Sequence, residues 1–124
     1  MIRRPWLAPL LLLAVSGMAW AQEERILSYH SDIAVRPDAS MRVTETIAVH
    51  GAGKEIRHGI YRNFPTEYRD NLRNRVKVAF EILAVTRDGR SEPYHTEAMS
   101  NGVRIYVGAR NVTIPPGDHT YTLT

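Results

Sequence analysis

The sequence predicts an all-β fold, an antiparallel immunoglobulin-like β-sandwich. Three observations predict it. Apolar and polar residues alternate with period two in several short runs. Turn chemistry separates those runs at roughly ten-residue spacing. No stretch past the amino-terminal segment carries a helical period.

The first run is "ILSYHSDIAV", Ile26–Val35, which puts Leu27, Tyr29, Ile33 and Val35 on one face. "RPDAS", Arg36–Ser40, supplies a turn, because Pro fixes φ and Asp and Ser bond back to the local backbone. "MRVTETIAV", Met41–Val49, then turns Met41, Val43, Ile47 and Val49 inward and Arg42, Thr44 and Thr46 outward, so the two runs form an antiparallel hairpin. "HGAGKE", His50–Glu55, is a loop. "VKVAFEILAV", Val76–Val85, reads as a strand whose apolar phase slips after Ile82, a sign of a bulge or of burial on both faces. Asp88-Gly89 and Asn101-Gly102 are hairpin turns. "VRIYVG" (Val103–Gly108) and "HTYTLT" (His119–Thr124) alternate again, with the turn "PPGD" between them. About seven strands are expected.

The amino-terminal segment is of a different kind. Arg3 and Arg4 precede an apolar run from Trp6 to Val15, and Ala19-Trp20-Ala21 matches the small-x-small pattern that signal peptidase accepts. The run is short for a bilayer span of about 20 apolar residues. A cleaved signal peptide is therefore expected over residues 1–21, and a single extracytoplasmic sandwich domain over 22–124, in the periplasm or on the outer face of the bacterial cytoplasmic membrane. Because Thr124 falls inside an alternating run, the chain is expected to be the front part of a longer membrane protein or a truncated product.

Composition excludes several classes of function. The 124 residues are 44% hydrophobic and 23% charged, the balance of an ordinary globular domain. The net charge of +3 leans on Arg3 and Arg4; without that pair the chain is nearly neutral. No block of like charge offers a nucleic acid a partner. With no cysteine there is no disulfide framework, thiolate metal site or thiol nucleophile. The five histidines (His30, His50, His58, His95, His119) are scattered without metal-ligand spacing. No nucleophile elbow, paired carboxylates or phosphate loop occurs, so neither a catalytic residue nor a cofactor is expected.

One stretch breaks the alternation. "EIRHGIYRNFP", Glu55–Pro65, crowds a His, a Gly, two aromatics, two arginines and a Pro. It is expected to be a loop pinned to one end of the sandwich by Ile60, Tyr61 and Phe64, with Gly59 allowing it to double back and Pro65 stiffening its exit. Glu45 sits at an inward position between Val43 and Ile47. A buried carboxylate needs a donor, and Arg57 or Arg62 is the candidate. The same loop is also the candidate interaction surface, through His58, Gly59, Tyr61, Arg62, Asn63, Phe64 and Pro65, because Tyr, Arg and Phe are enriched in interface cores.

The pieces "ILSYHSDIAVRPDASMRVTETI", "IRHGIYRNFPTEYRD", "NGVRIYVG" and "PPGDHTYTLT" together resemble the N-terminal domain of domain-of-unknown-function family 2207 (DUF2207), the YciQ-like predicted membrane proteins of bacteria. The resemblance covers nearly all of residues 22–124, and "HGIYRNFP" is its most specific part. It implies a signal peptide, an extracytoplasmic β-rich domain, later membrane helices and a low-complexity tail. It transfers no catalytic residue. The function expected is that of a non-catalytic extracytoplasmic module engaging another envelope protein or the membrane-bound remainder of its own chain. The alternatives are a periplasmic carbohydrate-binding module and a hydrolase using His58.

Overall fold

The computed structural model describes residues 23–124; the expected signal peptide lies outside them. The described chain is all-β and antiparallel. Ten strands form, more than the sequence suggested because several are only two or three residues long.

Two long strands, β1 (Arg25–Val35) and β2 (Met41–Gly51), form the expected hairpin. At its turn, Asp38 Oδ1 accepts hydrogen bonds from the Ser40 amide at 3.0 Å and the Ser40 hydroxyl at 2.6 Å. β2 alternates as predicted, with Glu45, Ile47 and Val49 buried. β1 departs from prediction near its start. The register shifts between Ile26 and Ser28, so Leu27 is bulged out and Ile26, opposite Val49, joins Tyr29 and Ile33 on the inward face.

β3 (Gly59–Pro65) is followed by a small hairpin, β4 (Glu67–Arg69) with β5 (Arg75–Lys77). The single strand expected over Val76–Val85 does not form. Its front belongs to β5, its last residue opens β6 (Val85–Arg87), and the residues between are in no strand. β6 turns through Asp88 (φ 52) and Gly89 (φ 79) into β7 (Arg90–Ser91). Both central residues take positive φ, the geometry that makes Asp-Gly a hairpin signal. β8 (Tyr94–Met99), β9 (Gly102–Gly108) and β10 (Gly117–Leu123) complete the chain.

The strands assemble in the orders β1-β2-β10-β6-β7 and β3-β9-β8, with β4-β5 apart. The core lies between the first two sheets. Ile47, Val49, Val85, Tyr121 and Leu123 come from the five-stranded sheet and meet Ile105 and Val107 from the three-stranded one, with Ile56, Ile60, Phe64 and Ile82 closing around them. Residues directly opposed across a ladder share a face. Tyr29, Ile47 and Tyr121 thus form one inward row, and Ser31, Glu45, Leu123 and Val85 the next. β1 is exposed along its whole length: its inward residues Ile26, Ile33 and Val35 are 65%, 57% and 70% exposed, and Met41 beyond the turn is 61% exposed.

Candidate functional site

The stretch expected as a loop is largely strand β3, paired residue by residue with β9. The sequence masks this because the inward positions are Ile60, Arg62 and Phe64, and an arginine at the middle one breaks the apolar pattern. The outward positions are Tyr61, Asn63 and Pro65. The candidate interaction residues are thereby divided between two faces.

Arg62 points into the sandwich, where Glu45 meets it from the other sheet. Arg62 Nε donates to Glu45 Oε2 at 2.9 Å and Nη2 to Oε1 at 2.6 Å, a bidentate pair. The Tyr29 hydroxyl donates to the same Oε1 at 2.5 Å. The guanidinium carbon lies 5.0 Å from the Phe64 ring centre and 5.4 Å from that of Tyr29. Burial pushes the Glu45 carboxyl up, but the bonds from Arg62 and Tyr29 outweigh it and hold the group below the usual carboxylate range. The bond to Glu45 raises Arg62 in turn. Arg57, the other candidate, goes elsewhere: its Nε donates to the Lys54 carbonyl at 3.2 Å. Arg62 sits at the inward parity of β3, whereas Arg57 precedes the strand.

Gly59 opens β3 opposite Gly108 of β9. A Cβ on Gly59 would lie 1.7 Å from the Val107 carbonyl oxygen, and one on Gly108 would lie 1.9 Å from that of His58. Gly59 therefore permits a close approach of two strands rather than a doubling back. His58 Nδ1 lies 2.8 Å from the Val112 carbonyl oxygen; as that oxygen only accepts, Nδ1 carries the proton. His58 borders a cavity of about 310 Å³ that Glu55, Tyr61, His95, Tyr106 and Arg110 also line.

The outward face of the three-stranded sheet carries two rows, Tyr61–Tyr106–His95 and Asn63–Arg104–Glu97. His95 stacks on Tyr106 with ring centres 4.7 Å apart and an interplanar angle of 12°. Arg104 lies 4.7 Å over the Tyr61 ring and donates from Nε to Asn63 Oδ1 at 2.7 Å. Tyr61 is 57% exposed. Among the described residues, no group of three or more His, Asp or Glu side chains is arranged to hold a metal ion.

Three further arrangements gave little sequence signal. Glu24 accepts four backbone N–H bonds, from Ala52, Lys54, Glu55 and Ile56, at 2.8–3.1 Å. Desolvation raises its pKa, but the four amides override it and bring the group down to about 2. Gly51 and Gly53 marked the loop but not its occupant. His119, 9% exposed, sits between Asp88 Oδ2 at 2.7 Å and the Pro115 carbonyl at 2.6 Å. Arg87, opposite Tyr121 in the β6–β10 ladder, pairs with Glu92.

The family described as "Predicted membrane protein (DUF2207) N-terminal domain" matches residues 25–124, from the first residue of β1 to the end of the chain. The chain belongs to the DUF2207 family. Its match includes every strand described above, with the Glu45–Arg62 pair and the outward rows. The DUF2207 chain is similar to "Uncharacterized protein YciQ" of Escherichia coli (strain K12), at 30% identity over 124 residues, 92% of this chain and 20% of that relative. It thus spans about one fifth of the relative's length. No solved structure matches. Among the described residues of this DUF2207 chain, no helix is long and apolar enough to cross a membrane.

Proposed function

We propose that residues 22–124 act as a non-catalytic, extracytoplasmic interaction module of a cell-envelope membrane protein, engaging either another envelope protein or the remainder of its own chain. One observation carries this reading. Strand β3 spends Arg62 and Phe64 on the interior and presents Tyr61 and Asn63 in ordered rows with Arg104 and Tyr106 on an open sheet face. Rigid aromatic and arginine side chains held by cross-strand bonds bind with little loss of conformational entropy.

Two experiments test it. Alkaline phosphatase joined after Thr124 is active only outside the cytoplasm, and sequencing of the exported product is expected to begin at Gln22. A cytoplasmic, uncleaved product overturns the extracytoplasmic reading. A photoreactive residue at Tyr61 or Asn63 is expected to cross-link in cells to one discrete envelope protein or to the parent chain. Catalysis is tested separately: turnover of ester, phosphate or glycoside substrates that disappears in His58→Ala would replace the module by a hydrolase.

A second reading, a carbohydrate-binding module, is favoured by the same aromatic row lying beside hydrogen-bonding Asn63, Arg104 and Glu97. It predicts a glycan-array signal and altered tyrosine fluorescence, both lost in Tyr61→Ala with the fold intact.

A further inference from the structure

We infer that the slot at the Gly59–Gly108 end of the three-stranded sheet is a binding site for one uncharged pyranose ring. The inference rests on the carbohydrate reading and deepens it. It places the sugar in a cavity rather than along the open rows, and it fixes the sugar's charge class.

The slot is built by glycine. β3 and β9 turn side chains outward at Asn63–Arg104 and at Tyr61–Tyr106, and the next outward pair, Gly59–Gly108, carries none. A gap one row wide, about 7 Å along the strands, is left in the sheet face. The cavity of about 310 Å³ has both glycines in its lining. The gap is permanent, because a Cβ on either residue would meet a backbone oxygen of the facing strand at 1.7 or 1.9 Å. The volume lies at the lower end of ligand cavities, which run from about 300 to 1,000 Å³, so one ring fits better than an oligosaccharide.

One side of the slot is aromatic. Arg104, from the Asn63 row, covers one face of the Tyr61 ring at 4.7 Å. The ring is still 57% exposed, and its other face turns toward the glycine row. Tyr106, backed by the stacked His95, continues the wall. Such a surface packs against the C–H face of a sugar. The other side is polar and comes from the chain just beyond the ladder: Glu55, His58 and Arg110. His58 Nδ1 donates to the Val112 carbonyl, so in the neutral ring Nε2 accepts.

Charge selects the ligand class. The lining carries one carboxylate, Glu55, and one guanidinium, Arg110. An anion meets Glu55, and a cation meets Arg110 as well as Arg104 behind Tyr61. A hydroxyl donates and accepts at once, so a neutral polyol serves both Glu55 and Arg110.

The probes are the methyl pyranosides of glucose, galactose, mannose and N-acetylglucosamine, with methyl glucuronide as the anionic and glucosamine as the cationic member of the set. Each is titrated into the 124-residue chain while the Gly59 and Gly108 amide signals are followed by nuclear magnetic resonance. At least one neutral pyranoside is expected to shift both signals with a Kd of about 1 mM, the strength a ligand of that size allows. The two charged sugars are expected to bind at least about tenfold more weakly. Tyr61→Ala abolishes binding. Glu55→Gln raises the affinity for the glucuronide, and Arg110→Gln that for glucosamine, shifts that a merely structural role would not produce. Glu55 and Arg110 are both exposed, so these two variants keep the fold, and circular dichroism verifies it for all three.

The inference is overturned if no neutral pyranoside moves the glycine signals, if a charged sugar binds as tightly as the neutral one, or if the Glu55 and Arg110 variants leave that selectivity unchanged. Zwitterionic serine binding in place of the sugars also overturns it. A sugar that moves only the Asn63, Arg104 and Glu97 signals removes the slot and leaves the carbohydrate reading standing. No response to any sugar removes the carbohydrate reading together with the slot.

Discussion

Arg62 of β3 crosses from the three-stranded sheet to hold Glu45 of β2 in the five-stranded sheet through two parallel hydrogen bonds. The two partners differ in their escape routes. The Glu45 side chain is 7% exposed and that of Arg62 is 31% exposed. Arg62→Ala leaves a buried carboxylate with only Tyr29 to serve it, and is expected to cost about 3 kcal/mol. Glu45→Ala lets the guanidinium turn toward water and is expected to cost about half as much. The double variant should fall short of the sum by about 1 kcal/mol or more. Denaturant midpoints of the four proteins measure this, and strictly additive losses would show that the pair does not act as a unit.

Gly59 and Gly108 face each other where β3 meets β9. Gly59→Ala drives a methyl group into the Val107 carbonyl at φ +146, and is expected to cost at least about 2 kcal/mol. Gly53→Ala is the control. Its φ is +71 but nothing lies within 4 Å of the added carbon, so only the backbone term of about 1 kcal/mol applies. Equal melting temperatures for the two variants would remove the steric account.

Tyr121 is fully buried, and its hydroxyl has no hydrogen-bond partner among the described residues. Burial pushes its pKa up to about 12. Tyr121→Phe deletes the unmet group, fills the same space, and is expected to stabilise the domain by about 1 kcal/mol. A loss of stability would identify a bound water on that oxygen.

His119 has an acceptor at each ring nitrogen, Asp88 and the Pro115 carbonyl, so the bonded ring is an imidazolium. The Asp88 bond raises its pKa against the opposing effect of burial, and nearby Arg87 adds only a small opposing push. With the folded pKa above the ordinary 6.5, the contribution is complete below 6.5 and is lost as pH rises through the folded value. Asp88 behaves inversely: the His119 bond lowers it, so its contribution is lost only as pH falls through a value below 3.8. Stability measured from below pH 6.5 upward is expected to decline, and His119→Gln should flatten that decline. An unchanged slope in the variant would assign it to other groups.

Most strands were legible in the sequence because one face of each is apolar. β2, β9 and β10 alternate cleanly, and Asp88-Gly89 marked its own turn. The errors occurred where a local rule met a distant partner. β3 reads as a loop in the sequence because the inward position at Arg62 is satisfied by a carboxylate 17 residues earlier, which no local window contains. Leu27 reads as inward because a bulge shifts phase without changing composition. Val76–Val85 has strand composition throughout, yet pairing needs a neighbour as well as propensity. Glu45 was legible as a residue needing a donor. The choice between Arg57 and Arg62 depended on strand parity, which the loop reading had concealed.

The carboxylate of Glu24, gripped by four amides of the loop 52–56, also determines how the domain bears a pull. Tension on the chain ahead of Glu23 reaches those amides before it reaches the β1–β2 ladder. Several bonds loaded together must yield before β1 can peel from the sheet one pair at a time. The force is diverted into the segment that leads to β3, so the front of the domain resists as a knot would rather than as a zipper.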